Sequence, residues 1–188
     1  VSYNGEATAP TEAGTYNVLV KVERFGIEYT KEAVLIIEPE QVNILVFDTL
    51  QVFDGLPKEV TVETTPANIP IKVLYDGKET PPVNAGSYRV TISSESPNYL
   101  GSYEGTLEIE KAEAEIIFSE LTHFYDGTAK SAIVETNPAA LQLEILYDNN
   151  ATLPVEIGEY ALFAKIVEAN YKGEATADFR IIEETVEI

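Results

Sequence analysis

The sequence predicts an all-β protein built from tandem sandwich modules, and three observations carry that expectation. One frame repeats along the whole chain. Within each copy, apolar residues recur with period two, the signature of half-buried strands. Clusters of Gly, Pro, Asn and Asp separate these runs, as turns require. No segment carries a helical period.

The period is 72 residues, set by Tyr3, Tyr75 and Tyr147 (75 − 3 and 147 − 75), and it holds without a gap. The same offset relates Pro10, Pro82 and Pro154, then Gly14, Gly86 and Gly158, then Tyr16, Tyr88 and Tyr160. The second and third copies also share Asp54-Gly55 with Asp126-Gly127, Lys58 with Lys130, Pro66 with Pro138, and Asn98-Tyr99 with Asn170-Tyr171. Breaks fall after the apolar strand that ends each unit, at LIIEPE (35–40), LEIEKA (107–112) and FRIIEE (179–184). That phasing predicts a partial repeat over 1–40, which lacks its opening strands, and full β modules over 41–112 and 113–188.

In a full copy the strands come in order. Val42, Ile44 and Val46 form the first row, Val60 and Val62 the next, and Ile71, Val73 and Tyr75 the third. Tyr88, Val90 and Ile92 alternate with Arg89, Thr91 and Ser93, and Leu107 with Ile109 closes the unit. FDGLPKE, TTPANIP, YDGKETPP and ESPNYLGSYEG are the turns between them. The closing strand of the first copy differs, because Val34, Leu35, Ile36 and Ile37 are apolar on both faces. A strand buried on both sides needs a second partner. The following module or a neighbouring chain is therefore expected to cover Ile36.

The step from glycine to tyrosine two residues later recurs at Gly14/Tyr16, Gly86/Tyr88 and Gly158/Tyr160. In immunoglobulin-like sandwiches a tyrosine there packs its ring inward while its hydroxyl bonds back to the preceding loop, the tyrosine corner. These six residues are expected to be structural anchors, and the modules immunoglobulin-like β-sandwiches.

Across 188 residues, 12 basic and 32 acidic side chains give a formal charge of −20. Such a field repels phosphate backbones and anionic membranes, so no nucleic acid and no membrane insertion is expected. Acidic residues on solvated strand faces account for the excess. With no cysteine there is no disulfide, thiolate nucleophile or Cys-bound zinc. No run approaches the ~18 apolar residues of a membrane span. The chain opens on Val1 and contains no methionine, which suggests an excised or processed part of something longer.

Chemistry-bearing motifs are scarce. His123 is the one imidazole, stands where the second copy has Gln51, and reads as a surface residue. No phosphate-binding glycine loop, nucleophile elbow or zinc-protease helix is present. Asp54, Asp76, Asp126 and Asp148 recur in turns, and Asp before Gly is an ordinary turn pair rather than a calcium loop. No catalytic residue, cofactor or metal is expected. Tyr99, Tyr103 and Tyr171, before the closing strand, could stack on sugar rings; the competing reading is that Asn-Tyr plugs the end of the sandwich.

The aromatic-Asp-Gly turn (53–55 and 125–127), the AGSYRVTI step (85–92), NYLG (98–101) and the closing TLEIEK (106–111), in this order and at a fixed period, resemble the MBG or "YDG" repeat modules of large bacterial surface and adhesin-like proteins. The third copy departs at YDNN (147–150) and at Ile157 for Ala85, and the first reads GIEY (26–29) in place of NYLG. The resemblance implies display at the bacterial cell surface, extracellular, with no enzymatic activity. The expected partners are neighbouring modules of the same chain, with a glycan or host protein, or strand exchange with another subunit, as alternatives. Short connections at EPEQ (38–41) and EKAE (110–113) limit bending, so an elongated spacer is expected.

Overall fold

The computed structural model describes residues 1–184, and among them every regular element is a strand. The first copy comprises β1 (Ser2–Tyr3), β2 (Gly14–Arg24) and β3 (Ile27–Ile37), a sheet of order β1-β2-β3. β2 and β3 pair from Gly14↔Ile37 to Arg24↔Ile27. Phe25 (φ 55) and Gly26 (φ 77) close this hairpin with two left-handed residues, the turn whose twist matches paired strands.

After β4 (Glu40–Gln41), the second copy runs β5 (Asn43–Phe47), β6 (Leu50–Val52), β7 (Thr61–Thr65), β8 (Ile71–Tyr75), β9 (Gly86–Ser94), β10 (Tyr99–Leu100) and β11 (Ser102–Glu110). β12 (Ala112–Glu113) leads to the third copy, with β13 (Glu115–Ser119), β14 (Thr122–Phe124), β15 (Ile133–Asn137), β16 (Leu143–Tyr147), β17 (Gly158–Ile166), β18 (Tyr171–Lys172) and β19 (Glu174–Ile182). Each full copy has a two-stranded antiparallel sheet, β5-β7 or β13-β15, and a four-stranded sheet, β6-β11-β9-β8 or β14-β19-β17-β16. The opening row breaks where Asp48 (φ 56) and Glu120 (φ 53) turn the chain. Its second piece then pairs in parallel with the closing strand, Glu108↔Leu50 and Arg180↔Thr122.

Period-two alternation places one side of β9 and β11 inside: Val90, Ile92, Leu107 and Ile109 are at most 2% exposed. In the third copy Tyr147, Leu162, Phe179 and Ile181 form the core, packed by Phe118, Leu121, Ile145 and Tyr160. The Tyr147 and Phe179 rings meet edge to face, 5.1 Å between centroids. The hydroxyl of Tyr75 accepts the Val60 N–H (3.0 Å) and that of Tyr147 the Ala132 N–H (2.9 Å), so each buried ring also holds the segment that enters β7 or β15. Burial pushes the Tyr75 hydroxyl pKa up.

The first copy has no such two-stranded sheet. Its counterparts of buried Tyr75, Val90, Ile92, Leu107 and Ile109 are Tyr3, Val18, Val20, Leu35 and Ile37, and all five are only half-buried. The expected cover over the other face of β3 is not there either. Ile36 is 63% and Val34 61% exposed, so the following module does not lie on them. They occupy the outward positions that Glu108 and Thr106 hold in the second copy, the face that an antiparallel sheet can leave to solvent.

The chain divides into two compact units: Val1–Thr49 with Glu59–Pro82 and Tyr88–Leu107, and Leu50–Lys58 with Val83–Ser87 and Glu108–Ile188. The boundary passes through the second copy. In consequence the junction of copies one and two lies inside the first unit, and that of copies two and three inside the second.

Candidate functional site: the repeat junctions

In the first unit, the loop before β2 meets the loop before β10. The Ala13 N–H donates to Asn98 Oδ1 at 2.6 Å, and Asn98 Nδ2 donates to the Glu12 carboxylate. The Asn98 carbonyl accepts from Glu40 N (2.8 Å), and the Leu100 carbonyl from Val42 N (2.8 Å), so β4 runs parallel to β10. One asparagine thus joins the loop of the preceding copy, the connector and its own copy. A primary amide suits this task, since it offers an acceptor and a donor side by side.

The second unit repeats the arrangement 72 positions later. The Ala85 N–H donates to Asn170 Oδ1 (2.8 Å), and Asn170 Nδ2 to Asn84 Oδ1 (3.0 Å). Ala112 N donates to the Asn170 carbonyl and Ala114 N to the Lys172 carbonyl, both at 2.9 Å, as β12 runs parallel to β18. Here the Tyr171 ring also packs edge to face on Phe53, 5.4 Å between centroids. Lys111 Nζ donates to the Glu168 carbonyl at 2.7 Å.

Two further devices hold these junctions. At the first junction the Tyr16 hydroxyl donates to the Glu12 carbonyl (2.8 Å); in the third copy, outside both junctions, that of Tyr160 donates to the Glu156 carbonyl (2.7 Å). At the first junction this tyrosine corner fixes the very loop that presents the amide and acceptor to Asn98. Gly101 and Gly173 make room for the connector. A Cβ at Gly101 would stand 2.8 Å from the Val42 carbonyl, and one at Gly173 2.4 Å from that of Ala114. The first copy lacks the whole device: Gly26, Ile27, Glu28 and Tyr29 replace Asn98, Tyr99, Leu100 and Gly101, and a two-residue turn replaces the loop.

The MBG domain profile matches residues 1–39, 42–113 and 114–185, nearly the full chain. The chain belongs to the MBG domain family. No curated protein matches it. Among solved structures, that of the surface layer protein SbsC, domains 4–9, is similar at 16% identity and a TM-score of 0.24; the alignment covers 92% of this chain and 36% of that one.

The MBG repeats place the sequence-predicted residues as follows. Gly14 and Gly158 stand beside the rings of Tyr16 and Tyr160, and only Gly86 (φ 155) of the three anchor glycines has a positive φ. Tyr16, Tyr88 and Tyr160 are half-buried. Tyr99, Tyr103 and Tyr171 are half-buried as well, each with a different neighbourhood: Tyr171 lies on Phe53, Tyr103 lies along Gly105, and Tyr99 pairs with the connector at Glu40.

The recurring acids of the MBG repeats are turn residues. Asp76 Oδ1 accepts from Arg89 N (2.9 Å) and Asp148 Oδ1 from Ala161 N (2.8 Å). Asp54 and Asp126 accept from the amides of Leu56 and Thr128 and from the amino groups of Lys58 and Lys130 (2.6 and 2.5 Å). The lysine hydrogen bond, then the turn donors, lower both carboxyl pKa values. Among the described residues no three His, Asp or Glu side chains converge on a metal position. His123 is half-buried, its ring tilts on buried Phe179 at 5.3 Å, and Nε2 contacts the Glu120 carbonyl at 2.9 Å in an exposed setting. The parallel pairing of β14 with β19 puts it there.

The asparagines are the residues that sequence reasoning undervalued. The signal was present, since Asn-Tyr recurs in frame in copies two and three, each of which follows another copy. Their partners lie 85 positions away, however, which no local pattern reports.

Proposed function

We propose that this chain is a non-catalytic spacer of a bacterial surface or secreted protein, in which each MBG repeat is tied to its predecessor and the array carries some other domain away from its anchor. One observation supports this reading above the others: the asparagine bonds at both junctions use the same frame positions. Covalent connection alone needs no such bond, whereas a stiff array needs each connection held at more than one point. The acidic excess favours the same reading by keeping molecules apart in solution. Small-angle scattering tests it. A radius of gyration well above the roughly 16 Å of one compact globule of this length is expected. A value at that globule's size would overturn the reading.

Strand exchange is a second reading, favoured by the five half-buried core positions of the first copy. A sheet without its two-stranded partner sheet can accept strands from another subunit. Light scattering over a range of concentrations tests this. A dimer that dissociates on dilution supports it, and a monomer at every concentration rules it out.

A further inference from the structure

The third repeat carries the acceptor half of the junction on an exposed end. At both occupied junctions that half consists of a backbone N–H (Ala13, Ala85) and an oxygen acceptor one residue earlier (Glu12, Asn84), and at the first the Tyr16 corner holds its loop. At the second junction, the aromatic residue of the Asp-Gly turn, Phe53, adds a ring for Tyr171. The same frame positions in the third copy hold Ile157, Glu156 and Tyr125. Tyr160 pins the Glu156 carbonyl as Tyr16 pins that of Glu12. Tyr125 N bonds the Ile182 carbonyl as Phe53 N bonds that of Glu110, so both rings start from matching backbone. Among the described residues, this acceptor stands open: Ile157 is 47% and Tyr125 43% exposed, while Ala13, Ala85 and Phe53 are half-buried.

We propose that this end of the third copy is a docking surface for one further MBG repeat, joined in tandem, that carries an Asn-Tyr-x-Gly loop. The incoming asparagine accepts from the Ile157 N–H through Oδ1 and donates through Nδ2 to the Glu156 carboxylate, as Asn98 does to Glu12. The incoming tyrosine packs on Tyr125, as Tyr171 does on Phe53. Replacement of Ala85 by Ile157 leaves the contact possible, because the backbone N–H and not the side chain makes the bond. The occupant must bear the loop, which excludes a repeat of the first copy's kind: Gly26 offers no amide, and Tyr29 fills the space that Gly101 and Gly173 leave for a connector.

The inference rests on the junction reading of the proposed function, and one experiment separates their failures. Residues 113–184 are duplicated in frame after Glu184, and amide hydrogen exchange is followed by NMR in the original and the extended chain. In the original chain Ala13 and Ala85 should exchange at least about tenfold more slowly than Ile157. In the extended chain Ile157 should slow to the range of Ala85, and substitution of the added copy's asparagine by alanine should restore its fast exchange. An Ile157 amide that stays fast while Ala13 and Ala85 stay slow overturns the docking surface alone. Fast exchange at Ala13 and Ala85 in the original chain overturns the junction reading with it.

Discussion

Ala85 and Asn170 are joined by a hydrogen bond of 2.8 Å across 85 positions of sequence, and Ala13 and Asn98 are joined across the same separation. The bonds sit in half-buried loops where the amide nitrogens meet no strand partner, so the asparagine side chain completes what secondary structure leaves open.

The two latches differ in one partner, and that difference predicts unequal responses. Asn170→Asp removes a donor opposite the neutral Asn84 amide, whereas Asn98→Asp sets a carboxylate against Glu12. Both should destabilise by about 1 kcal/mol, with Asn98→Asp the more costly, its excess small because the site is open to solvent. Urea denaturation at low and high salt checks this. The excess should shrink with salt and vanish in the Glu12→Gln background.

Gly173→Ala and Gly101→Ala should destabilise more than Gly77→Ala. At the first two a Cβ meets backbone carbonyls at 2.4 and 2.8 Å, which can move only with their strands. Overpacking of that kind costs ~1 to 3 kcal/mol. Gly77 (φ 78) has open space around it, so its substitution costs only the backbone preference, about 1 kcal/mol. Thermal unfolding of the three variants tests the order.

Two tyrosine hydroxyls of opposite role should separate in a Tyr→Phe comparison. Tyr147 is 4% exposed and its oxygen accepts the Ala132 N–H, which Tyr147→Phe strands in a part-buried site at a cost of ~1 to 3 kcal/mol. Tyr16 donates to an exposed carbonyl that water can serve, so Tyr16→Phe should cost about 1 kcal/mol or less. Chemical denaturation decides, and equal costs would contradict the assignment.

Asp54 and Asp126 give an acid-side prediction. Their pKa values in the folded chain lie below the ordinary 3.8, chiefly because Lys58 and Lys130 hydrogen-bond the carboxylates. A group whose pKa is lowered by folding contributes stability above its unfolded pKa, and that contribution is lost as pH falls through the folded value. Stability should therefore decline from about pH 4 downward, and less steeply in the Asp54→Asn, Asp126→Asn double variant. Carboxylate NMR titration should show both pKa values rising in Lys58→Gln and Lys130→Gln.

Much of the strand plan was legible because it rests on local alternation: Val90, Ile92, Leu107 and Ile109 read as inward residues and are buried. The short strands were not. β6 and β14 have three residues each and β10 and β18 two, too few for a period, and they exist because a parallel neighbour supplies their hydrogen bonds. The double-sided apolar row at Val34–Ile37 is not covered by the following module, since side-chain pattern records what a strand could bury and not which segment of the chain lies on it.

The sequence by itself determined the repeat, its frame, the all-β class and which side of the long strands of the two full copies faces inward, because side-chain polarity at period two acts within a few residues. Only the tertiary structure decided that Asn98 and Asn170 bind the preceding copy, that Gly101 and Gly173 yield space to a connector, and that the first copy's sheet lies half open. Those features depend on hydrogen bonds and excluded volume between segments up to 86 positions apart, where the chain's own neighbours carry no record of the contact.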